Sequence, residues 1–318
     1  MTTGSPLVES QPEIEFSVLI TCYYEEKSIG EFYRRLSGTL QALGRSYEII
    51  FVNDGSHDGT WEKLKAIFAK DPHVHAILDM AKNSGQQAAH TAAINESRGR
   101  AMVFIDSDLQ LAPEELPRLV EQYDRGFDLV TGYRVNRKDS YFRIVPSWLA
   151  NVIMRRASHS NVRDFGCTFK IFNGAVVRAF QFGPRHLASG VEVISKIDRI
   201  AEVPVTHYPR RYGKSGWTFS KLVKYNTDNI VIVSERPFQV SASLCVLLAL
   251  LIVVRIVADR LFPVKLLPNV SNGLLLNAII IALLVNVALL SMVGEFAIRS
   301  FLRSHAAPLY VIREKLSR

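Results

Sequence analysis

Residues 101–115 read AMVFIDSDLQLAPEE. Five apolar residues lead into two carboxylates, Asp106 and Asp108, and a Pro-Glu-Glu run follows. A short apolar run closed by polar residues is the pattern of a strand buried on both faces. Pro113, with Glu114 and Glu115 behind it, opens a helix, because proline suits the first helical position and acids suit the first turn. Outward from this stretch the same alternation repeats. Strand-like runs stand at Phe16–Cys22, Glu48–Asn53, His75–Met80, Ala101–Ile105 and Phe127–Thr131, and helical stretches lie near 28–43, 58–70, 86–98 and 113–124. Strand and helix in alternation predict an α/β domain with a doubly wound, mainly parallel sheet covered on both faces. Such sheets bind ligands beyond the C-terminal ends of their strands.

The chain has 318 residues, 48% of them hydrophobic, and a net charge of +8. The apolar residues are unevenly spread. Residues 238–258 and 273–294 are nearly all apolar, and each matches the length of a bilayer-crossing helix. Residues 237–318 carry net +5 and the rest only +3, so basic residues concentrate beside the apolar segments, where anionic headgroups attract them. Lys and Arg number five after Gly294 and two in the loop 259–272. That count predicts a two-helix transmembrane hairpin with the loop outside and the tail in the cytoplasm. The expected divisions are a disordered 1–14, a folded α/β domain 15–236, the membrane part 237–294, and a basic cytoplasmic tail 295–318. The expected location is the inner (cytoplasmic) membrane, multi-pass. No signal peptide is expected from the polar first residues. Nucleic acid is excluded as a partner, since no recognition motif accompanies the charge. Cys22, Cys167 and Cys245 are too scattered for a disulfide framework or a zinc site.

Asp106-Ser107-Asp108 is the strongest chemical signal. Two carboxylates at a strand end suit Mg²⁺ or Mn²⁺, hard ions that keep positions open for phosphate oxygens. Gln110 can add a neutral oxygen. The alternative is an acid pair capping the helix at Pro113. In VNDGSHDGT, residues 52–60, Asp54 ends a strand and can accept from a nucleobase N–H, while Asp58 suits a helix cap. Tyr23-Tyr24-Glu25-Glu26 and Asn83-Ser84-Gly85-Gln86 end two more strands on the same edge. No G-x-G-x-x-G follows the first strand, and Gly213-Lys214-Ser215 lacks the earlier glycine of a P-loop. Residues 134–163 hold seven Lys or Arg and one acid. Within them Phe142, Val145, Trp148, Leu149 and Val152 fall at helical spacing, as in a helix lying on a membrane surface or one packed on the sheet. A second such helix is expected over 217–235.

Together, SVLITCYYEE, VNDGSHDGT, NSGQQAA, FIDSDLQLAPEEL, GYRVNRKDSYFR, DFGCTFK and RRYGKSGWTF resemble the glycosyltransferases of family 2, which have the GT-A fold. Their polyisoprenyl-phosphate branch, which includes dolichol-phosphate mannosyltransferase and bacterial undecaprenyl-phosphate sugar transferases, is the nearest in pattern. The resemblance implies an enzyme that moves a sugar, with inversion, from a nucleotide sugar, with uracil favoured as the base, to a polyisoprenyl phosphate lipid at the membrane. It implies that Thr21, Tyr23, Glu25, Asp54, Gly85, Asp106 and Arg134 bind the nucleotide. Asp106, Asp108 and Gln110 would hold the metal, and Asp108 and Arg210 would serve the leaving diphosphate. Asp164 would be catalytic or would hold its turn. Arg137, Lys138, Arg143, Lys214 and Ser215 would dock the acceptor, and a homo-oligomer is allowed. Thr21 and Tyr24 stand where the family usually has Pro and Asn. A processive polysaccharide synthase of the same fold and an inactive membrane scaffold are the alternatives.

Overall fold

The structure is a computed structural model, and it describes residues 14–135, 151–212 except 153 and 157, residue 229, 272–304 and 308–318. The chain forms two compact units, one of residues 1–233 with 308–318 and one of 234–307.

In the first unit the order is β1 (Phe16–Cys22), α1 (Ile29–Leu43), β2 (Tyr47–Asn53), α2 (Thr60–Lys70), β3 (Val74–Met80), α3 (Gln86–Glu96) and β4 (Ala101–Asp106). A 3₁₀ turn at Pro113–Glu115 leads into α4 (Leu116–Asp124). Then come β5 (Leu129–Val135), β6 (Lys170–Asn173), α5 (Gly174–Ala179), α6 (Gly190–Ile194) and β7 (Ile200–Thr206). The expected alternation through β5 is present, with ends shifted by a few residues. With a last strand, β8 (Ile312–Ser317), one mixed sheet results, in the order β7-β5-β6-β4-β1-β2-β3-β8. Strands β1 to β4 pair parallel in the order 4-1-2-3, while β6 lies antiparallel between β4 and β5.

Alternate residues of each strand serve opposite layers, as the two-residue side-chain period requires. Val18 and Ile20 meet Phe32, Leu36 and Leu40 of α1, Leu64 of α2 and Leu119 of α4. Leu19, Ile50 and Leu78 face the alanine-rich α3, whose Ala88, Ala89, Ala92 and Ala93 are all buried. Helices therefore cover both faces. All seven residues of β2 are buried, as expected of a central strand.

The last residues of the expected basic tail join the sheet. Ile312–Ser317 form β8, antiparallel to β3 at the sheet edge. Arg313 binds the fully buried Asp79 through Nε at 2.8 Å, and Glu314 accepts from Trp61 Nε1 at 3.1 Å. Only Ile312 and Leu316 are apolar in the strand, and charges on an edge strand hide it from a hydrophobicity reading.

In the second unit, helix α7 (Asn272–Ser304) runs for 33 residues and exposes Leu276, Ile281, Leu284 and Leu290. It extends ten residues beyond the expected end at 294. Among the described residues no helix is long and apolar enough to cross a membrane. As a backbone element α7 is about 50 Å long. The segment 238–258 lies outside the described residues, as do 217–235 apart from Asn229 and the expected surface helix apart from its end.

Candidate active site

Strands β2 and β3 lie to one side of β1, and β4 to the other, so the winding reverses between β1 and β4. Neighbouring strand ends diverge at such a reversal and leave a crevice. In register, Thr21 of β1 faces Asp106 of β4, and Ser107 Oγ donates to the Thr21 carbonyl at 3.1 Å. The acids expected from the sequence gather at this edge.

Asp106 accepts from two other elements. Gln86 Nε2 at the start of α3 reaches Oδ1 at 2.8 Å, and Thr168 Oγ1 reaches Oδ2 at 2.7 Å. Asp108 Oδ1 accepts from the Gln110 N–H at 3.0 Å, and its Oδ2 lies 2.6 Å from Arg210 Nη2. Between them Leu109 is buried with φ +61°, a conformation that turns the backbone sharply after the strand. Gln110 exchanges contacts with Tyr208, which brings the segment after β7 over the acids. That is how Arg210, 102 positions away, reaches Asp108. Glu25 joins the cluster, 3.8 Å from Arg210 Nη1, with Ser28 Oγ donating to it.

The electrostatics are those of crowded carboxylates. Burial, then the charges of Asp108 and Asp106, push Glu25 up to about 7, against the pull of Ser28 and Arg210. Burial, then Asp108, push Asp106 up to about 6. Among the described residues no three His, Cys, Asp or Glu form a metal cage. Two carboxylates with surplus negative charge do fit a divalent ion that keeps open positions, and their oxygens suit Mg²⁺ or Mn²⁺.

Asp54 is held differently. Ser84 N–H donates to Oδ1 at 2.7 Å, while Gly85 N–H and Asn83 Nδ2 both donate to Oδ2 at 3.0 Å. Burial raises its carboxyl, and the two N–H groups pull it back. Gly55, at φ +68°, permits this corner: a Cβ there would stand 2.4 Å from Asn83 N and from the Lys82 carbonyl carbon. Gly59 holds the cap position of α2, and Asp58, expected there, lies one residue earlier and accepts the Thr60 N–H at 3.1 Å.

Arg134 and Asp164 form a two-pronged pair, at 2.7 and 2.8 Å. Gly166 makes room for it, since a Cβ would lie 3.0 Å from Arg134 Nη2. Beneath the turn the buried Lys170 ammonium donates to the carbonyls of Phe165 and Cys167. Thr168 and Asp164 thus tie Asp106 and Arg134 to one segment. Gln86, Thr168, Ser28 and Lys170 were not expected as site residues. Gln86, Thr168 and Lys170 stand inside NSGQQAA and DFGCTFK, but contacts between distant elements leave no trace in spacing. Arg137, Lys138, Arg143, Lys214 and Ser215 lie outside the described residues. A cavity of about 300 Å³ lined by Glu15, Arg45, Arg100 and Tyr123 sits at the opposite strand ends from Asp54, Asp106 and Asp108.

The family model described as glycosyl transferase family 2 matches residues 17–182. Dodecaprenyl-phosphate galacturonate synthase of Rhizobium johnstonii is 28% identical over 316 residues, 95% of this chain and 93% of that protein. Among solved structures, glucosyl-3-phosphoglycerate synthase from Mycobacterium tuberculosis, in complex with Mn²⁺ and UDP-glucose, is similar with a TM-score of 0.50 and 18% identity. It covers 69% of this chain and 77% of its own. A mycobacterial protein gives the same score at 19% identity, over 69% and 73%. These two likenesses bear on the fold. With the family model spanning the first six strands and the acids at their ends, the chain belongs to glycosyl transferase family 2 and is a glycosyltransferase.

Proposed function

We propose that this glycosyltransferase moves a sugar from a UDP-sugar to the phosphate of undecaprenyl phosphate or a similar polyprenyl lipid, with inversion at the anomeric carbon. The observation that carries the reading is the cluster of Glu25, Asp106 and Asp108 with Arg210 in its midst at the β1–β4 crevice. The name of the Rhizobium relative supports the polyprenyl acceptor, because the similarity runs through nearly the whole of both chains.

Asp106 and Asp108, with Gln110, would hold Mg²⁺ or Mn²⁺, which when bound screens the charge of the donor diphosphate. Arg210 stands beside that position to stabilise the leaving group. Asp54 offers its remaining acceptor capacity to the base, and Thr21, Tyr23 and Gly85 frame the nucleotide. Asp164 fixes the Arg134 guanidinium in one orientation, which makes Asp164 a positioning group. The acceptor phosphate, with a second pKa of about 6, is largely a dianion at neutral pH and needs no base to remove a proton. Its oxygen forms the new bond to the sugar's anomeric carbon. The bond from that carbon to the diphosphate breaks, and the electron pair leaves on the nucleoside diphosphate. Arg137, Lys138, Arg143, Lys214 and Ser215 would dock the acceptor.

Strand β8 supports a membrane hairpin. It pairs with β3 of the catalytic unit, so β8 lies on the same side of any bilayer as the sheet. The segment between must then cross an even number of times. Two crossings, at 238–258 and 273–294, satisfy this and leave 259–272 outside, with the catalytic domain at the cytoplasmic face.

The test is a panel of UDP- and GDP-sugars, UDP-galacturonate among them, offered to the purified full chain with radiolabelled undecaprenyl phosphate in neutral detergent. A single sugar transferred to the lipid, and abolished by chelator, is the expected result. A growing polymer would favour a processive synthase, and absence of both transfer and nucleotide binding would favour an inactive scaffold.

A further inference from the structure

Tyr24 is held at φ +57°, a left-handed conformation in which any residue with a Cβ other than Asn or Asp is strained. Leu109 bears the same strain, but its side chain is buried and packed. The Tyr24 side chain has no such packing: the residue is 47% exposed. Its backbone is pinned, because the Tyr24 N–H donates to Ser56 Oγ at 2.9 Å. An exposed aromatic at a strained position gains little for the fold itself, and strain of this kind collects at ligand sites.

The ring has one neighbour of note. Tyr23, itself 41% exposed, lies with its centroid 4.6 Å from that of Tyr24 and its plane at 75°. Edge-to-face geometry is a favourable one for two aromatic rings, so each ring favours this orientation of the other. The pair stands over the Asp54 corner. Asp54 N–H donates to the Cys22 carbonyl at 2.9 Å, one residue before Tyr23, and the Ser56 that pins Tyr24 is two residues past Asp54. The diphosphate corner at Asp108 and Arg210 lies at the end of β4, on the far side of β1 from β2.

We infer that Tyr24 is a positioning residue that braces Tyr23 as the stacking face for the donor's nucleobase, opposite the hydrogen-bonding edge read by Asp54. This rests on the proposed use of a nucleotide sugar. A nucleobase presents a flat π-face, and stacking on an aromatic ring is insensitive to which base it is. Hydrogen bonds at Asp54 would select the base, and the tyrosine pair would add affinity. The backbone strain is tolerated because the brace works only if the Tyr24 ring is thrown outward against Tyr23.

The strain gives the test two readouts of opposite sign. Tyr24→Asn suits the left-handed backbone and removes the ring, and Tyr24→Phe keeps the ring. Affinities of the full chain in neutral detergent for UDP and for pyrophosphate, both with Mn²⁺, are measured by calorimetry, and Tm by thermal scan. For Tyr24→Asn the expected results are a Tm higher by about 2–4 °C, UDP binding weaker by about tenfold, and pyrophosphate binding unchanged. Tyr24→Phe should bind UDP within about twofold of the parent, since the brace needs the ring and not the hydroxyl. Unchanged UDP affinity in Tyr24→Asn would overturn the inference and leave Tyr24 as an ill-fitting turn residue. Equal weakening toward UDP and pyrophosphate would overturn it too, by moving the effect to the diphosphate. A fall in Tm would show that the ring packs for stability, which also overturns it. A parent chain that binds no nucleoside diphosphate would overturn the proposed function, and this inference with it.

Discussion

Two acidic corners share one edge of the sheet and are built in opposite ways. At the β2–β3 side, each buried acid is answered by fixed donors. Asp54 takes two backbone N–H groups and the Asn83 amide, and behind it Asp79 takes Asn53 Nδ2 at 2.8 Å and the Arg313 guanidinium. At the β1–β4 side, Glu25, Asp106 and Asp108 repel one another with Arg210 among them, and two of the three are pushed to about 7 and about 6. The dipoles around Asp54 answer its carboxylate without a mobile charge and hold its shape, which suits recognition of a rigid, neutral group. A surplus of carboxylates is costly until a cation arrives, which suits a site that takes an ion together with its anionic ligand.

The largest effect should follow from neutralising one member of the surplus. Asp108→Asn removes the carboxylate that meets Arg210 and leaves its shape. An amide is a poor ligand for Mg²⁺ or Mn²⁺, so turnover should fall by at least about 100-fold, while the far-ultraviolet circular dichroism stays that of the parent. Near-parental turnover, or full activity of the parent in excess chelator, would erase the contrast between the corners.

A smaller effect should follow from disturbing the fixed corner. Gly55→Ala places a methyl group 2.4 Å from backbone atoms of residues 82 and 83, at a φ of +68°. Backbone cannot give way as a flexible side chain can. The expected cost is about 2 kcal/mol in stability, read by chemical denaturation, with weaker UDP binding because Asp54 loses its donors at Ser84 and Gly85. A stable variant with parental UDP affinity would mean that this corner does not depend on the close approach of its loops.

The two corners were unequally legible in the sequence. Strands β1 to β5 and the acids at their ends announce themselves, because buried parallel strands are dense in apolar residues and a polar break marks each end. Asp54, Asp106 and Asp108 could be placed for that reason. The groups that answer them could not. Ser84 and Gly85 act through backbone N–H, which no side chain advertises, and Gln86 and Thr168 reach Asp106 from segments 20 and 62 positions away. Strands β6 and β7 are short or half-exposed, and β8 is an edge strand of mostly charged residues, so their periodicity is faint. Arg313 supplies the buttress of Asp79 across 234 positions, a partnership visible only once β8 pairs with β3.

The smallest effect separates the corners by pH. The folded values of Glu25 and Asp106 lie above their ordinary 4.5 and 3.8, at about 7 and about 6. The native state therefore holds these protons more tightly than the unfolded chain. Their contribution to stability is complete below about pH 4 and is lost as the pH rises through 6 to 7. With chelator present, the parent should lose stability between pH 5 and 8 by an amount on the order of 1 kcal/mol, allowing for the coupling between the two groups. Other groups titrate in that range too, so the informative quantity is the difference between the parent and Asp106→Asn, whose curve should be flatter. Millimolar Mn²⁺ should reverse the trend in the parent. The ion binds the deprotonated carboxylates, so the stabilisation it gives grows with pH through the same window. Parent and Asp106→Asn curves that run parallel in chelator would mean that the crowding at the β4 end does not reach the stability of the fold. The two corners would then differ in geometry and not in charge.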